Sequence, residues 1–373
     1  MIDPKAYWVG LNRVRGIGAV RLRALLDVFG DAQTAWEAPA DQLRRAGLGE
    51  KLVEGMCKAR RELDLERYWE HIQALGIHVI TWDEEDYPRR LKEIDQPPPI
   101  LYVRGQLAIE DEWSVSIVGT RRVSTYGRQI AEELACFLAS NRITIVSGLA
   151  RGVDTIAHES VIKSGGRTVA VLGSGVDIIY PSENKRLAMK IMENGAVISD
   201  YAPGTPPEAQ NFPPRNRIIS GLTMATVVIE AGETSGALIT ASFAANQGRE
   251  VFAVPGGIHA PQSKGTNSLI QKGARPLLSM EEVLEVLQLE MIQEHQQARK
   301  ILAGDATEAA ILNVLNSEPQ HVDDIGEQAG LPIDQVSATL ALMELKGMVR
   351  PVGGMNYVLA RETNSEYRVD TDE

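Results

Sequence analysis

Ser116-Ile117-Val118-Gly119-Thr120-Arg121-Arg122-Val123-Ser124-Thr125-Tyr126-Gly127 is the stretch on which the reading of this chain turns. An apolar, β-branched run stops at a glycine, passes hydroxyls and paired arginines, and enters a helix-like pattern. Backbone N–H groups at a helix start attract phosphate, and arginine binds it bidentately. The same residues also suit a plain strand-to-helix turn with solvated arginines.

The pattern repeats on both sides. Short apolar runs recur at Ile77–Thr81, Val115–Val118, Ile143–Val146, Thr168–Leu172, Ala196–Ile198, Val227–Ile229 and Val251–Val254. Helical periodicity separates most of them, at Gln129–Ala139, Thr155–Lys163, Glu183–Glu193 and Ala237–Asn246. Near-continuous apolar strands alternating with helices predict an α/β parallel sheet covered on both faces. Such sheets bind ligands beyond the carboxyl ends of their strands, which here are rich in glycine.

The chain of 373 residues is long enough for two or three domains. The texture divides it into a helical segment over 1–66, the sheet domain over 67–288, a Gln-rich linker over 289–304, a winged helix over 305–360 and a charged tail over 361–373. In the winged helix, Gly330-Leu331-Pro332 is the turn, Ile333–Leu345 the third helix, and Met348–Pro351 with Asn356–Leu359 the wing.

A net charge of −12 argues against coating duplex DNA through bulk electrostatics, so any nucleic-acid site must concentrate positive charge in particular loops. The start of the chain carries no apolar signal region, and no apolar run reaches the length of a bilayer span. Cys57 and Cys136 form no metal-ligand spacing. These features predict a cytoplasmic protein in a reducing compartment, away from membranes.

Five further loops follow the first. Ser147-Gly148-Leu149-Ala150-Arg151-Gly152-Val153-Asp154 precedes a helix that carries His158. Asp154 suits a helix cap and His158 a structural role. Leu172-Gly173-Ser174-Gly175-Val176-Asp177 holds only part of a dinucleotide fingerprint, which disfavours a nicotinamide cofactor.

Asn211-Phe212-Pro213-Pro214-Arg215-Asn216-Arg217 opens a helix. Phe212 there can stack a base while the arginines hold phosphates, a combination suited to single strands. Phe212 also suits a hydrophobic staple. Glu230-Ala231-Gly232-Glu233-Thr234-Ser235-Gly236 offers backbone donors at another helix start but lacks the lysine of a Walker loop. Pro255-Gly256-Gly257 leads to Lys264-Gly265-Thr266-Asn267, where Lys264 adds charge. No nucleophile–base order and no metal-ligand cluster emerges. Nothing in the sequence brings Asp154, Asp177, Glu230 and Glu233 together. The expectation is a protein without catalytic residues, cofactor or metal.

Near the start, Arg13-Val14-Arg15-Gly16-Ile17-Gly18-Ala19-Val20-Arg21 looks like a helix-hairpin-helix element. Its Gly16 and Gly18 turn, aided by Arg21, suits an accessory DNA phosphate contact or a turn used for packing alone. In the winged helix, Asp323, Asp324, Glu327, Asp334 and Glu344 outweigh Lys346 and Arg350. That balance suits protein interaction or autoregulation better than duplex reading.

Taken in order, the loops resemble the DNA processing protein A (DprA/Smf) family. The resemblance rests on Ile-Val-Gly-Thr-Arg-Arg at Ile117, Ser-Gly-Leu-Ala-Arg-Gly-Val-Asp at Ser147 and Ala-Val-Leu-Gly-Ser-Gly-Val-Asp at Ala170. Tyr180-Pro181, Phe-Pro-Pro-Arg-Asn-Arg-Ile-Ile-Ser-Gly-Leu at Phe212, Thr-Ser-Gly-Ala-Leu-Ile-Thr-Ala at Thr234 and Ala-Val-Pro-Gly at Ala253 continue it.

The resemblance implies an extended Rossmann-like fold that binds single-stranded DNA, forms a homodimer and loads the RecA recombinase in natural transformation. The site residues it suggests are Gly119, Arg121, Arg122, Ser147, Gly148, Arg151, Gly173, Phe212, Arg215, Asn216, Arg217, Ser235, Gly236, Lys264 and Asn267. Arg121 is its phosphate anchor. The alternative is a nucleotide-processing enzyme of the phosphoribohydrolase type, suggested by Pro255-Gly256-Gly257 and the Glu230 loop. The compact Pro-Gly-Gly-x-Gly-Thr motif of that family is absent.

Overall fold

A computed structural model describes residues 2–287, 306–315, 319–345 and 348–359. In it the apolar runs become β1 (His78–Thr81), β3 (Ser114–Val118), β4 (Thr144–Ser147), β5 (Thr168–Val171), β6 (Gly195–Ser199), β7 (Ala225–Val228) and β8 (Glu250–Ala253). Two more strands join them, β2 (Ile100–Gly105) and β9 (Arg275–Pro276). Three prolines directly precede β2, a turn signal that hides it in the sequence. The two residues of β9 are too few for any periodicity.

The strands form one sheet in the order β1-β2-β6-β5-β4-β3-β7-β8-β9. From β6 to β9 every pair is parallel, whereas β1 and β2 extend one edge antiparallel. The expected parallel sheet therefore holds except at that edge, where antiparallel neighbours need no crossover helix.

Helices α1 (Pro4–Arg13), α2 (Ala19–Phe29), α3 (Ala32–Glu37), α4 (Ala40–Arg45), α5 (Glu50–Glu62) and α6 (Leu65–Ala74) precede the sheet, and α7 (Arg89–Lys92) lies between β1 and β2. Helices α8 (Thr125–Ser140), α9 (Val153–Lys163), α10 (Lys185–Glu193), α11 (Phe212–Gly221), α12 (Ala237–Asn246) and α13 (Lys264–Gln271) alternate with the later strands.

The period of two along a strand sends successive side chains to opposite faces. Val118, Val146 and Val228 join a core with α11, α12 and the N-terminal helices. Their neighbours Ile117, Ile145 and Val227 join a separate core with α8 and α9. Each large side chain so buried contributes about 1.5–3 kcal/mol. The N-terminal helices lie within the same compact unit as the sheet, Met1–Leu287. Tyr102 on β2, fully buried, donates its hydroxyl to Asn12 Oδ1 at 3.0 Å.

Within this sheet β3 is the turning point. It lies between β4 on one side and β7 on the other, and the chain leaves it towards β4. Loops after strands on either side of such a point diverge and leave a crevice.

The second unit holds α14 (Ala306–Val314), β10 (Gln320–His321), α15 (Val322–Ala329), α16 (Ile333–Leu345), β11 (Val349–Pro351) and β12 (Asn356–Leu359). Ile311, Val322, Ile325, Val336, Leu340 and Met343 form its core. The expected wing is β11 paired with β12, and β10 adds a third strand beside β12. Gly330 ends α15 in the left-handed region at φ 67°, as the expected turn requires. Asp323, Asp324, Glu327, Asp334 and Glu344 are all exposed. The linker expected over 289–304, the tail expected over 361–373 and Lys346 lie outside the described residues. Among the described residues, no helix is long and apolar enough to cross a membrane.

Candidate nucleic-acid interface

The site is built on the start of α11. Pro213 and Pro214 occupy its first turn, where their missing N–H groups cost nothing and their fixed φ suits the helix. This fixes Phe212 over the end of β5, in contact with Gly173. A Cβ at Gly173 would stand 2.8 Å from Phe212 Cδ1, so any larger residue displaces the ring.

Arg215 points inward from the same helix and is only 5% exposed. Its Nη1 donates to Gly148 O at 2.8 Å and also to Val171 O. Gly148 leaves room for it, because a Cβ there would meet Arg215 Nη2 at 2.7 Å. Beside it, buried Asp154 Oδ2 accepts from Gly148 N at 3.1 Å and Ala150 N at 3.2 Å. Burial pushes the Asp154 carboxyl up to about 6, against the pull of Arg215. Burial likewise brings the Arg215 guanidinium down to about 10, against the pull of Asp154. Loop, helix and strand end are thus tied through the main-chain bonds of one buried guanidinium and one buried carboxyl.

Above this floor, two guanidinium groups stand near the Phe212 ring. The Arg121 Cζ is 6.0 Å from its ring centroid and the Arg215 Cζ 5.9 Å. The Tyr180 ring stands 5.7 Å from Phe212, tilted by 34°. Arg121, Gly148, Ala150, Arg151, Tyr180, Pro181, Phe212 and Arg215 line a cleft that opens to solvent. A cleft with aromatic faces and guanidinium groups can stack a base and hold its phosphates. Tyr180 and Pro181 were not among the expected site residues. Their place in the ordered motifs was the one signal that pointed to them.

Of the expected residues, the fold brings Arg121, Gly148, Arg151, Phe212 and Arg215 to this cleft, with Gly173 beneath Phe212. Arg121 and Arg122 are exposed, and Gly119 ends the strand that leads to them. Arg151 pairs with Glu183 at the rim.

The remaining residues lie outside the cleft lining. Ser147 is fully buried and donates to Ile117 O at 2.6 Å, so its hydroxyl pins neighbouring strands together. Asn216 donates to Gly236 O at 3.3 Å and ties α11 to the loop of Ser235 and Gly236. Arg217 points away from Arg215 and pairs with Asp200. Two residues along a helix is more than half a turn, so arginines two apart in sequence part company in space.

Lys264 pairs with Glu233 at 3.3 Å. Asn267 clamps Gly256, accepting from its N at 3.2 Å and donating to its O at 3.0 Å. In the N-terminal hairpin, Gly16 adopts φ +97°, Gly18 precedes α2, and Arg21 Nη1 donates to Gly16 O at 2.6 Å. That hairpin too lies apart from the cleft lining.

The carboxylates do not assemble a catalytic pair. Asp154 is engaged as above, Asp177 accepts from Gly204 N, Glu230 accepts from Ser124, and Glu233 holds Lys264. His158 is buried with its Nδ1 2.7 Å from Thr168 Oγ1. Among the described residues, no group of three or more His, Cys, Asp or Glu is placed to hold a metal.

Residues 78–288 match the family model described as DNA recombination-mediator protein A. The chain belongs to the DNA processing protein A (DprA/Smf) family. Residues 295–355 match the DprA winged helix domain. The Smf protein of Synechocystis is 36% identical over 390 residues, covering 95% of this chain and 98% of its own. The Smf protein of Escherichia coli is 34% identical, covering 92% and 95%.

Among solved structures, DNA processing protein A of Streptococcus pneumoniae aligns with a TM-score of 0.66 at 33% identity, over 76% of this chain and 98% of that one. The Helicobacter pylori protein, whose structure concerns its single-stranded DNA binding mode, aligns with a TM-score of 0.52 at 30% identity. That alignment covers 57% of this chain and 96% of the Helicobacter chain. The cleft described above belongs to the part of this DprA/Smf chain that the first family model spans.

Proposed function

We propose that this DprA/Smf protein binds single-stranded DNA in the Phe212 cleft and delivers the strand to the RecA recombinase during natural transformation. The observation that carries the reading is the placement of the Phe212 ring 6.0 and 5.9 Å from the guanidinium carbons of Arg121 and Arg215, next to Tyr180. Stacking on aromatic faces is sequence-tolerant, because every base has a π-face, and arginines beside the stack take the backbone. Duplex DNA offers no unstacked base to such a cleft. The single-stranded DNA binding mode of the Helicobacter relative and the recombination-mediator description of the family support the same reading.

Arg121 is the phosphate anchor in this proposal, with Phe212 and Tyr180 as stacking faces and Arg151 at the rim. Gly148, Gly173 and Arg215 shape the floor. The protein acts without a catalytic step, as a cytoplasmic homodimer, and the acidic winged helix serves protein contact or autoregulation. The decisive experiment compares single-stranded and duplex DNA of one sequence at two salt concentrations, with and without RecA. The reading expects preference for the single strand, weakening with salt as counterions are released, and faster RecA assembly on the bound strand. Equal binding of both forms, or no effect on RecA, would sink it.

A further inference from the structure

Glu230 stands at the end of β7, across the sheet's turning point from Arg121, and is only 4% exposed. A buried carboxylate has to be satisfied by donors, and those of Glu230 come from the Arg121 loop. Ser124 N donates to Glu230 Oε2 at 2.9 Å, and Ser124 Oγ donates to Glu230 Oε1. The same residue's main-chain oxygen accepts from Thr120 N at 2.7 Å. One residue therefore holds the loop on both sides of Arg121 and Arg122.

The fit is close. A Cβ on Gly127 would stand 2.4 Å from Glu230 Cδ, so the first turn of α8 packs directly on the carboxylate. Ser124 also caps that helix, accepting from Gly127 N at 3.0 Å. Arg121 itself has no ion pair among the described residues, and its guanidinium stands over the Phe212 ring. Its position relative to Phe212 thus depends on how its backbone is held.

We infer that Glu230 is a positioning residue for strand binding: it fixes the Arg121 loop through Ser124 and Thr120 so that the guanidinium meets a phosphate beside Phe212. The inference rests on Arg121 being the strand anchor. It gives this buried acid a mechanical role, with both carboxylate oxygens engaged by Ser124.

A double-mutant cycle tests this on the full chain, with a fluorescently labelled oligothymidylate as the probe. Glu230→Ala should lower affinity about as much as Arg121→Ala, roughly ten- to a hundredfold for one hydrogen-bonded contact to a charged group. The double variant should lose no more than Arg121→Ala alone. Ser124→Ala, which removes one bond to Glu230 together with the cap bond from Gly127 N, should lose part of the same affinity and none further in the Arg121→Ala background. It keeps the test open should Glu230→Ala fail to fold.

Full additivity in the cycle, or wild-type affinity in a folded Glu230→Ala or Ser124→Ala protein, would overturn the inference while leaving the strand-binding reading intact. Release of free base from nucleoside monophosphate by the wild type, lost in Glu230→Gln, would overturn it by making Glu230 catalytic. Wild-type protein that fails to bind the probe sinks the strand-binding reading itself.

Discussion

Arg217 Nη2 donates to Asp200 Oδ2 at 2.8 Å, and both side chains are largely buried, at 18% and 15% exposed. Arg121 is exposed and rests against Phe212. Two arginines expected to share one task are therefore committed differently. Arg121→Ala should weaken single-strand binding by about 1.5–3 kcal/mol, the usual worth of a hydrogen bond to a charged group. The salt dependence should flatten by about 0.7 in the log–log slope, one phosphate contact fewer. Arg217→Ala should instead leave an unpaired carboxylate and cost about 1–3 kcal/mol of folding stability, with the salt slope unchanged. Fluorescence anisotropy across a salt series and chemical denaturation separate the two.

Phe212→Ala should remove a stacking face and cost about 1–3 kcal/mol of binding, whereas Phe212→Trp should retain most of it. The salt slope should be the same in both variants, because no phosphate contact is touched. A slope that changed with Phe212→Ala would place the ring's role in holding the arginines instead of a base.

Gly173→Ala and Gly148→Ala introduce a methyl where the nearest atoms are Phe212 Cδ1 at 2.8 Å and Arg215 Nη2 at 2.7 Å. Overpacking of this kind costs about 1–3 kcal/mol. Gly173→Ala should tilt Phe212 and reduce strand affinity more than stability. Gly148→Ala presses on a buried guanidinium bonded to main chain, so it should reduce stability as well. Paired melting and binding measurements on each variant check the contrast.

His158 gives a pH signature. Thr168 Oγ1 donates to Ile145 O at 2.7 Å, so it can only accept from His158, whose Nδ1 must carry the proton. Burial then pushes the imidazole pKa down from 6.5 to about 3, and the nearby Arg215 charge adds to this. A depressed pKa means the unfolded chain takes up a proton that the folded chain refuses. Stability from this group is complete above about pH 6.5 and is lost progressively as pH falls towards about 3. Relative to wild type, His158→Asn should show a flatter acid limb in denaturation midpoints between pH 6.5 and 4. An unchanged acid limb would show that the imidazole titrates freely.

The apolar runs alone determined seven of the strands, the helices between them and the winged helix, because burial writes its period directly into the order of residues. The ordered glycine-rich motifs likewise placed the family in view. Three of the described strands escaped, β2 behind its prolines and β9 and β10 for want of length. The site was legible only as a set of loops. Arg215 and Arg217 read alike in sequence, yet one locks the cleft floor and the other pairs with Asp200 outside it, because the helix turn sends them apart. Ser147 reads as a phosphate ligand and is a buried pin between strands. Tyr180 meets Phe212, and Glu230 meets Ser124, across separations of 32 and 106 residues. Local pattern follows from propensity and burial along the chain. Which side chains share a cleft is set by the order of strands in the sheet and the direction each helix face takes, and those exist only once the chain has folded.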